Sequence, residues 1–248
     1  MTMTKEAIQY LAEQGIKPEE RLVKVGDGRL LAFDSNGKAI EILPNIFNAK
    51  DPLEINTLSG FVKYVRSNLD RNDQKLIVHV KNEAQVFLKG LINTDGSREI
   101  LAIAQAIIPG FEFNSFMGME TFNIALQSKF VPNNDRHILL QVVGNVSEKD
   151  VKNTGYDGVI QAVTINQGVA TKADVKVPNP VTLAPYRTFL EVEQPESQFI
   201  FRMTNGPRGA IFEADGGAWR NEAIVNIREY LKEELAKEIE SRRITILA

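Results

Sequence analysis

One stretch, residues 75–108, constrains the fold of this chain more than any other. It reads KLIVHV, then AQVFLKGLI, the turn Thr94-Asp95-Gly96-Ser97, and REILAIAQAII. β-Branched and aromatic residues fill the runs, and the Asp-Gly step accepts the backbone angles of a tight reversal, so the two runs around it pair as an antiparallel hairpin. Such a hairpin is marginal by itself and needs further strands or helices to bury one face.

Helices of suitable spacing stand on both sides of it. Thr57 to Leu69 is a helix capped by Thr57, with Leu58, Phe61, Val62, Val65 and Leu69 on one face. Glu120 to Phe130 stacks Phe122, Leu126 and Phe130 before Pro132 ends it, and a further helix spans Asp135 to Lys152, interrupted near Gly144. Trp219 opens a long carboxy-terminal helix that runs to about Ser241, carrying Ile224, Ile227, Leu231, Leu235 and Ile239 on one stripe. The apolar tail RRITILA fits as an added strand at a sheet edge of this or a neighbouring chain.

Elsewhere the pattern is β. RLVKV, RLLAF and KAIEI form a small meander around Gly26-Asp27-Gly28 and Ser35-Asn36-Gly37, which are plain turns lacking the lysine of a phosphate loop. GVIQAVTINQG, VATKADVKV, RTFLEVEQ, QFIFRMTNG and RGAIFEA follow in the second half, and Pro178, Pro180 and Pro185 mark an edge or a long connection. Lys5 to Gln14 is a short amphipathic helix that docks on its own chain or a neighbour's. The class is therefore α+β: antiparallel β-sheets, as hairpins and meanders, packed with helices and a long C-terminal helix. Its expected organisation is a helical arm over residues 1–20, an α+β half over 21–132 and a second over 133–248 with the C-terminal helix.

Composition narrows the chemistry. With no cysteine, thiolate nucleophiles, disulfides and cysteine-based metal sites are excluded. Of the two histidines, His79 falls inside an apolar strand and His137 at a helix start, and neither pairs in sequence with a serine or acid. A net charge of −3 gives no global field toward DNA or an anionic membrane, so binding there needs a local patch. The start of the chain lacks the apolar stretch of a signal peptide or membrane span, which points to the cytoplasm.

Three groups are candidates. FEFNSFMGMETF gathers Phe111, Phe113, Phe116, Met117 and Met119, either a partner-binding patch or residues that anchor their loop to the core. Lys63, Tyr64, Arg66, Arg71 and Lys75 lie close at a helix end and could track phosphates, or simply form a solvated helix face. The carboxylates Asp27, Asp95, Glu120, Asp157 and Asp215 are scattered over turns, where acidic residues are common for conformational reasons. No catalytic set, metal site or cofactor follows from them.

TLSGFVKYV, the hairpin segment VFLKGLINTDGS, the helix ETFNIALQSKFV, and GVIQAVTINQG, VTLAPYRTFLEVEQ and QFIFRMTNG together resemble the YfdQ-like family of phage and prophage proteins, a domain of unknown function, over roughly residues 55–230. Where that family carries a tryptophan-rich stretch, this chain has the phenylalanine and methionine cluster. The resemblance implies a phage-encoded protein expressed inside the bacterial host, with no catalytic residue. The expected function is a non-enzymatic phage or prophage accessory protein that binds a host or phage protein as a homo-oligomer in the host cytoplasm. A nucleic-acid-binding protein of phage replication or recombination, and a virion structural subunit, are the alternatives.

Overall fold

The computed structural model describes residues 22–24, 30–33, 38–42, 49–70, 74–93, 96–145, 155–156, 161–167, 171–204, 206 and 208–248. The chain divides into two compact units between Asn48 and Ala49. In the first, β1 (Leu22–Lys24), β2 (Leu30–Phe33) and β3 (Ala39–Ile42) form the expected antiparallel meander. The expected helix at Lys5–Gln14 and the Gly26-Asp27-Gly28 turn lie outside the described residues.

The second unit opens with β4 (Leu53–Ile55), α1 (Leu58–Ser67), β5 (Leu76–Asn82), β6 (Gln85–Ile92) and β7 (Arg98–Gln105). There follow β8 (Met117–Gly118), α2 (Met119–Lys129), α3 (Asn134–Asn145), β9 (Gly155–Tyr156), β10 (Gln161–Gln167) and β11 (Thr171–Val177). β12 (Val181–Leu183), β13 (Ser197–Thr204), β14 (Arg208–Glu213), α4 (Trp219–Glu234), α5 (Ala236–Glu240) and β15 (Ile244–Leu247) complete it. The architecture is α+β.

A five-stranded sheet has the order β15-β5-β6-β7-β4. The β6–β7 hairpin is antiparallel, as the sequence predicts, and β5–β6 forms a second antiparallel hairpin, while both outer strands run parallel to their neighbours. The β6–β7 turn closes through Ser97 O accepting from Asn93 N and Asn93 O from Gly96 N, with Gly96 at φ 83°. Residues at alternate positions, Leu76, Val78, Val80, Val86, Leu88, Ala102 and Ala104, face Leu58, Phe61, Val62 and Val65 of α1 and Ile227 and Leu231 of α4 in one buried core. A second core joins Phe122 and Leu126 of α2, Leu139, Val142 and Val143 of α3, and Leu183, Phe199, Phe201 and Ile211 of the sheet β12-β13-β14-β8. β9, β10 and β11 make a third, antiparallel sheet.

The expected boundary at 132/133 does not divide the molecule. The first core is built from residues 55–106, from Phe189 and Val192, and from residues 224–246, while the second is built from 111–211. Apart from Phe189 and Val192, which join the first core from within the span of the second, one core is thus nested within the sequence of the other, an arrangement that local periodicity does not reveal.

Three further expectations change. α1 ends at Ser67 because Asn68 turns left-handed at φ 45°, so Leu69 leaves the buried stripe and is 72% exposed. RTFLEVEQ is not a strand: Gln194 Oε1 accepts from Arg187 N and Thr188 N, and Gln194 Nε2 donates to Phe189 O and Val192 O, folding the segment around one buried amide. The C-terminal helix breaks at Leu235, whose φ of −104° separates α4 from α5. The tail forms β15 in its own chain, where Arg243 Nη2 donates to Val65 O and Asn68 Oδ1 at the end of α1.

Candidate functional site

The sheet's inner face is filled by the core, so its chemistry lies on the opposite side. The two-residue turn Glu83-Ala84 fixes the β5–β6 register, and strand alternation then places His79 and Lys81 on the same side as Phe87 and Lys89. Register across the sheet lines up Leu247, His79, Phe87, Ile103 and Glu54 in one row. None of these side chains belongs to either core. Lys81 Nζ stands 5.3 Å and Lys89 Nζ 5.0 Å from the centre of the Phe87 ring, which is 9% exposed beneath them.

Lys89 Nζ also donates to His79 Nδ1 at 3.1 Å, which makes the imidazole a neutral acceptor. Burial first, and then the charges of Lys89 and Lys81, lower the His79 pKa below 6.5. Among the described residues neither lysine makes an ion pair. Like charges gathered around one ring are unfavourable unless an anion joins them.

The predicted groups are placed differently. Phe111, Phe113 and Met117 pack against the second core, and Met119 is buried in it. The Phe113 ring stacks on Phe199 at 5.5 Å, and Phe111 meets Phe130 edge-on at 5.1 Å. Phe116 meets Phe212 edge-on at 5.9 Å, and its carbonyl accepts from Arg208 Nη2. The loop is thus fastened to its own chain, the second of the two readings its composition allows.

The basic group separates. Lys63 is exposed and lines an open groove of about 510 Å³ with Ser59, Arg66, Tyr230 and Glu234. Arg66 is taken up by Glu234 at 2.9 Å, and Tyr64 turns its hydroxyl to Asp70 Oδ2, so its ring is not free to stack. Lys75 is exposed just before β5, and Arg71 lies outside the described residues. Of the carboxylates, Asp27, Asp95 and Asp157 lie outside the described residues, Glu120 is exposed in the first turn of α2, and Asp215 is half-buried. His137 is exposed and accepts or shares a hydrogen bond with Gln141 Nε2 at 3.1 Å.

Asp215 belongs to a cluster that the sequence does not announce. Arg187, 5% exposed, lies with its guanidinium carbon 3.9 Å from the Trp219 ring centre. It donates to Ser197 Oγ through Nη2 and reaches Glu213 at 3.4 Å through Nη1. Burial pushes its pKa down to about 10, against the pull of Asp215 and Glu213. Burial tends to raise the Asp215 carboxyl, but Ser197, the Gly217 N–H and Arg187 together hold it below its usual value. Arg220 covers Trp219 from 4.7 Å and pairs with Glu83 at 3.6 Å, and Thr188 Oγ1 donates to Glu83 O. The cluster thereby stitches the β5–β6 turn to the β12–β13 connection and the start of α4.

No family model, curated protein or solved structure matches this chain. Among the described residues, no three His, Asp or Glu side chains stand together as a metal site requires. No described helix is long and apolar enough to cross a membrane.

Proposed function

We propose that this protein is a non-enzymatic accessory protein of a phage or prophage that works by binding in the host cytoplasm, and that it assembles as a homo-oligomer through the free edge of β15. The observation that carries the assembly is the edge itself. Ile244 is buried and Ile246 packs on the first core, while Arg243 ties the strand's start to α1, so the strand is held firmly from behind. Arg243 O accepts from Leu76 N, which directs the backbone groups of Ile244 and Ile246 away from β5.

The sequence Ile244-Thr245-Ile246-Leu247 contains no charge and no proline, the devices that usually blunt an edge, and Leu247 is 50% exposed. An edge of this kind pairs antiparallel with its own copy across a two-fold axis. The phage setting and host compartment are supported by the sequence resemblance.

Light scattering after gel filtration tests the assembly. The chain elutes as a dimer at tens of micromolar, and Thr245→Lys with Leu247→Lys, both at exposed positions, shifts it to monomer with an unchanged melting temperature. A monomeric wild-type chain at that concentration refutes the proposal.

A further inference from the structure

We propose that the outer face of the five-stranded sheet binds single-stranded nucleic acid, with Lys81 and Lys89 meeting phosphates and Phe87 supplying a base platform. This site is separate from the β15 edge and from the basic residues that cluster in sequence on α1.

Charge disposition is the main argument. On the helical side of the unit several cations are answered by carboxylates, Arg66 by Glu234, Arg228 and Lys232 by Glu229, and Arg220 by Glu83, while Lys63 lines the open groove beside Glu234. Lys81 and Lys89 share one aromatic ring instead, and the nearest polar group in the row is a histidine held neutral. An anion approaching this face meets two unneutralised ammonium groups on adjacent strands.

The shape of the face selects among anions. Phe87 and Ile103 are apolar and stand in register on neighbouring strands, with Ile77 two positions along β5 opposite Lys89, giving an open sheet surface that a duplex groove cannot receive but unstacked bases can lie upon. The lysine ammonium groups that now cover Phe87 would swing to phosphates, uncovering the ring as the charge is satisfied. Gln85 and Gln105, joined at 2.6 Å, end the platform with amide groups able to bond base edges. An acidic peptide would use the lysines but leave the ring and its apolar neighbours unused.

Fluorescence anisotropy with a labelled oligo-dT strand and a duplex of equal length, using the full chain over a salt series, tests this. The single strand binds and the duplex binds at least about tenfold more weakly. Lys81→Gln with Lys89→Gln lowers the slope of log affinity against log salt by about 1.4, since each phosphate contact on a single strand contributes about 0.7. Phe87→Leu weakens binding by about fivefold or more and leaves the slope unchanged. Lys63→Gln with Lys232→Gln, on the helical side, binds as wild type. Absence of binding at low salt, equal binding of duplex, or a slope unaltered by the Lys81 and Lys89 changes overturns the proposal. The lysine variants carry the test if Phe87→Leu proves unstable.

Discussion

Arg187 combines a favourable and an unfavourable contribution, and two substitutions separate them. Its hydrogen bond to Ser197 is worth about 2 kcal/mol as a charge-assisted bond, and its stacking on Trp219 about 2 more in a desolvated setting. Opposing them, burial lowers its pKa to about 10, which corresponds to roughly 3 kcal/mol against holding the charge there. The polar contributions nearly cancel, leaving about 1 kcal/mol. Volume therefore decides. Arg187→Met keeps most of the packing against Phe199 and Trp219 and is expected to cost about 1 kcal/mol. Arg187→Ala adds lost stem burial and a cavity, for a total of about 4 kcal/mol. Thermal and urea unfolding followed by circular dichroism measure both, with the alanine variant melting about 10 °C lower and the methionine variant within about 4 °C of wild type. Equal losses for the two variants would show that the ion, not the volume, holds the cluster, and the reasoning fails.

Other outcomes follow from the same geometry. His79 has its folded pKa below the unfolded 6.5, so the unfolded chain binds more protons as pH drops; stability falls as pH descends below 6.5, and His79→Gln, measured by urea titration at pH 7 and 5, loses that part of the pH dependence. A Cβ on Gly60 would stand 2.8 Å from Thr57 Oγ1, the oxygen that caps α1 through Gly60 N. Gly60→Ala should therefore cost about 1–2 kcal/mol, whereas Gly90→Ala, with only an ordinary 3.6 Å contact to Glu99, should be tolerated; paired thermal melts compare them. Phe113→Ala should lower stability by about 2 kcal/mol through lost packing on Phe199, while Leu69→Ala changes it by less than about 0.5 kcal/mol; chemical denaturation checks both.

What the sequence discloses depends on distance along the chain. The β6–β7 hairpin, the α1 stripe and its Thr57 cap are set by neighbours within a few residues, and they are legible. The end of α1 is less so, since Asn68 in a left-handed turn looks in sequence like any polar residue. RTFLEVEQ alternates like a strand, yet Gln194 captures its backbone donors, a contest that periodicity cannot judge. Arg187, Ser197, Asp215 and Trp219 meet across more than thirty positions, and no local pattern joins them. The outer-face set was nearer to reach: His79 and Lys81 are two apart, as are Phe87 and Lys89, and the short turn between the strands puts all four on one side. The basic group around α1 is close in sequence, but neighbouring residues on a helix spread around its axis.

The nesting of one core inside the other sets an order for biosynthesis. Strands β4 to β7 leave the ribosome early, but α4, which covers them, and β15, which completes their sheet beside β5, are translated more than a hundred residues later. In the interval the inserted segment from Phe111 to Glu213 can complete its own sheet β12-β13-β14-β8 against α2 and α3. The nascent chain therefore carries a finished inner body and an unfinished outer one, whose apolar strands stay partly uncovered until α4 and β15 have been made.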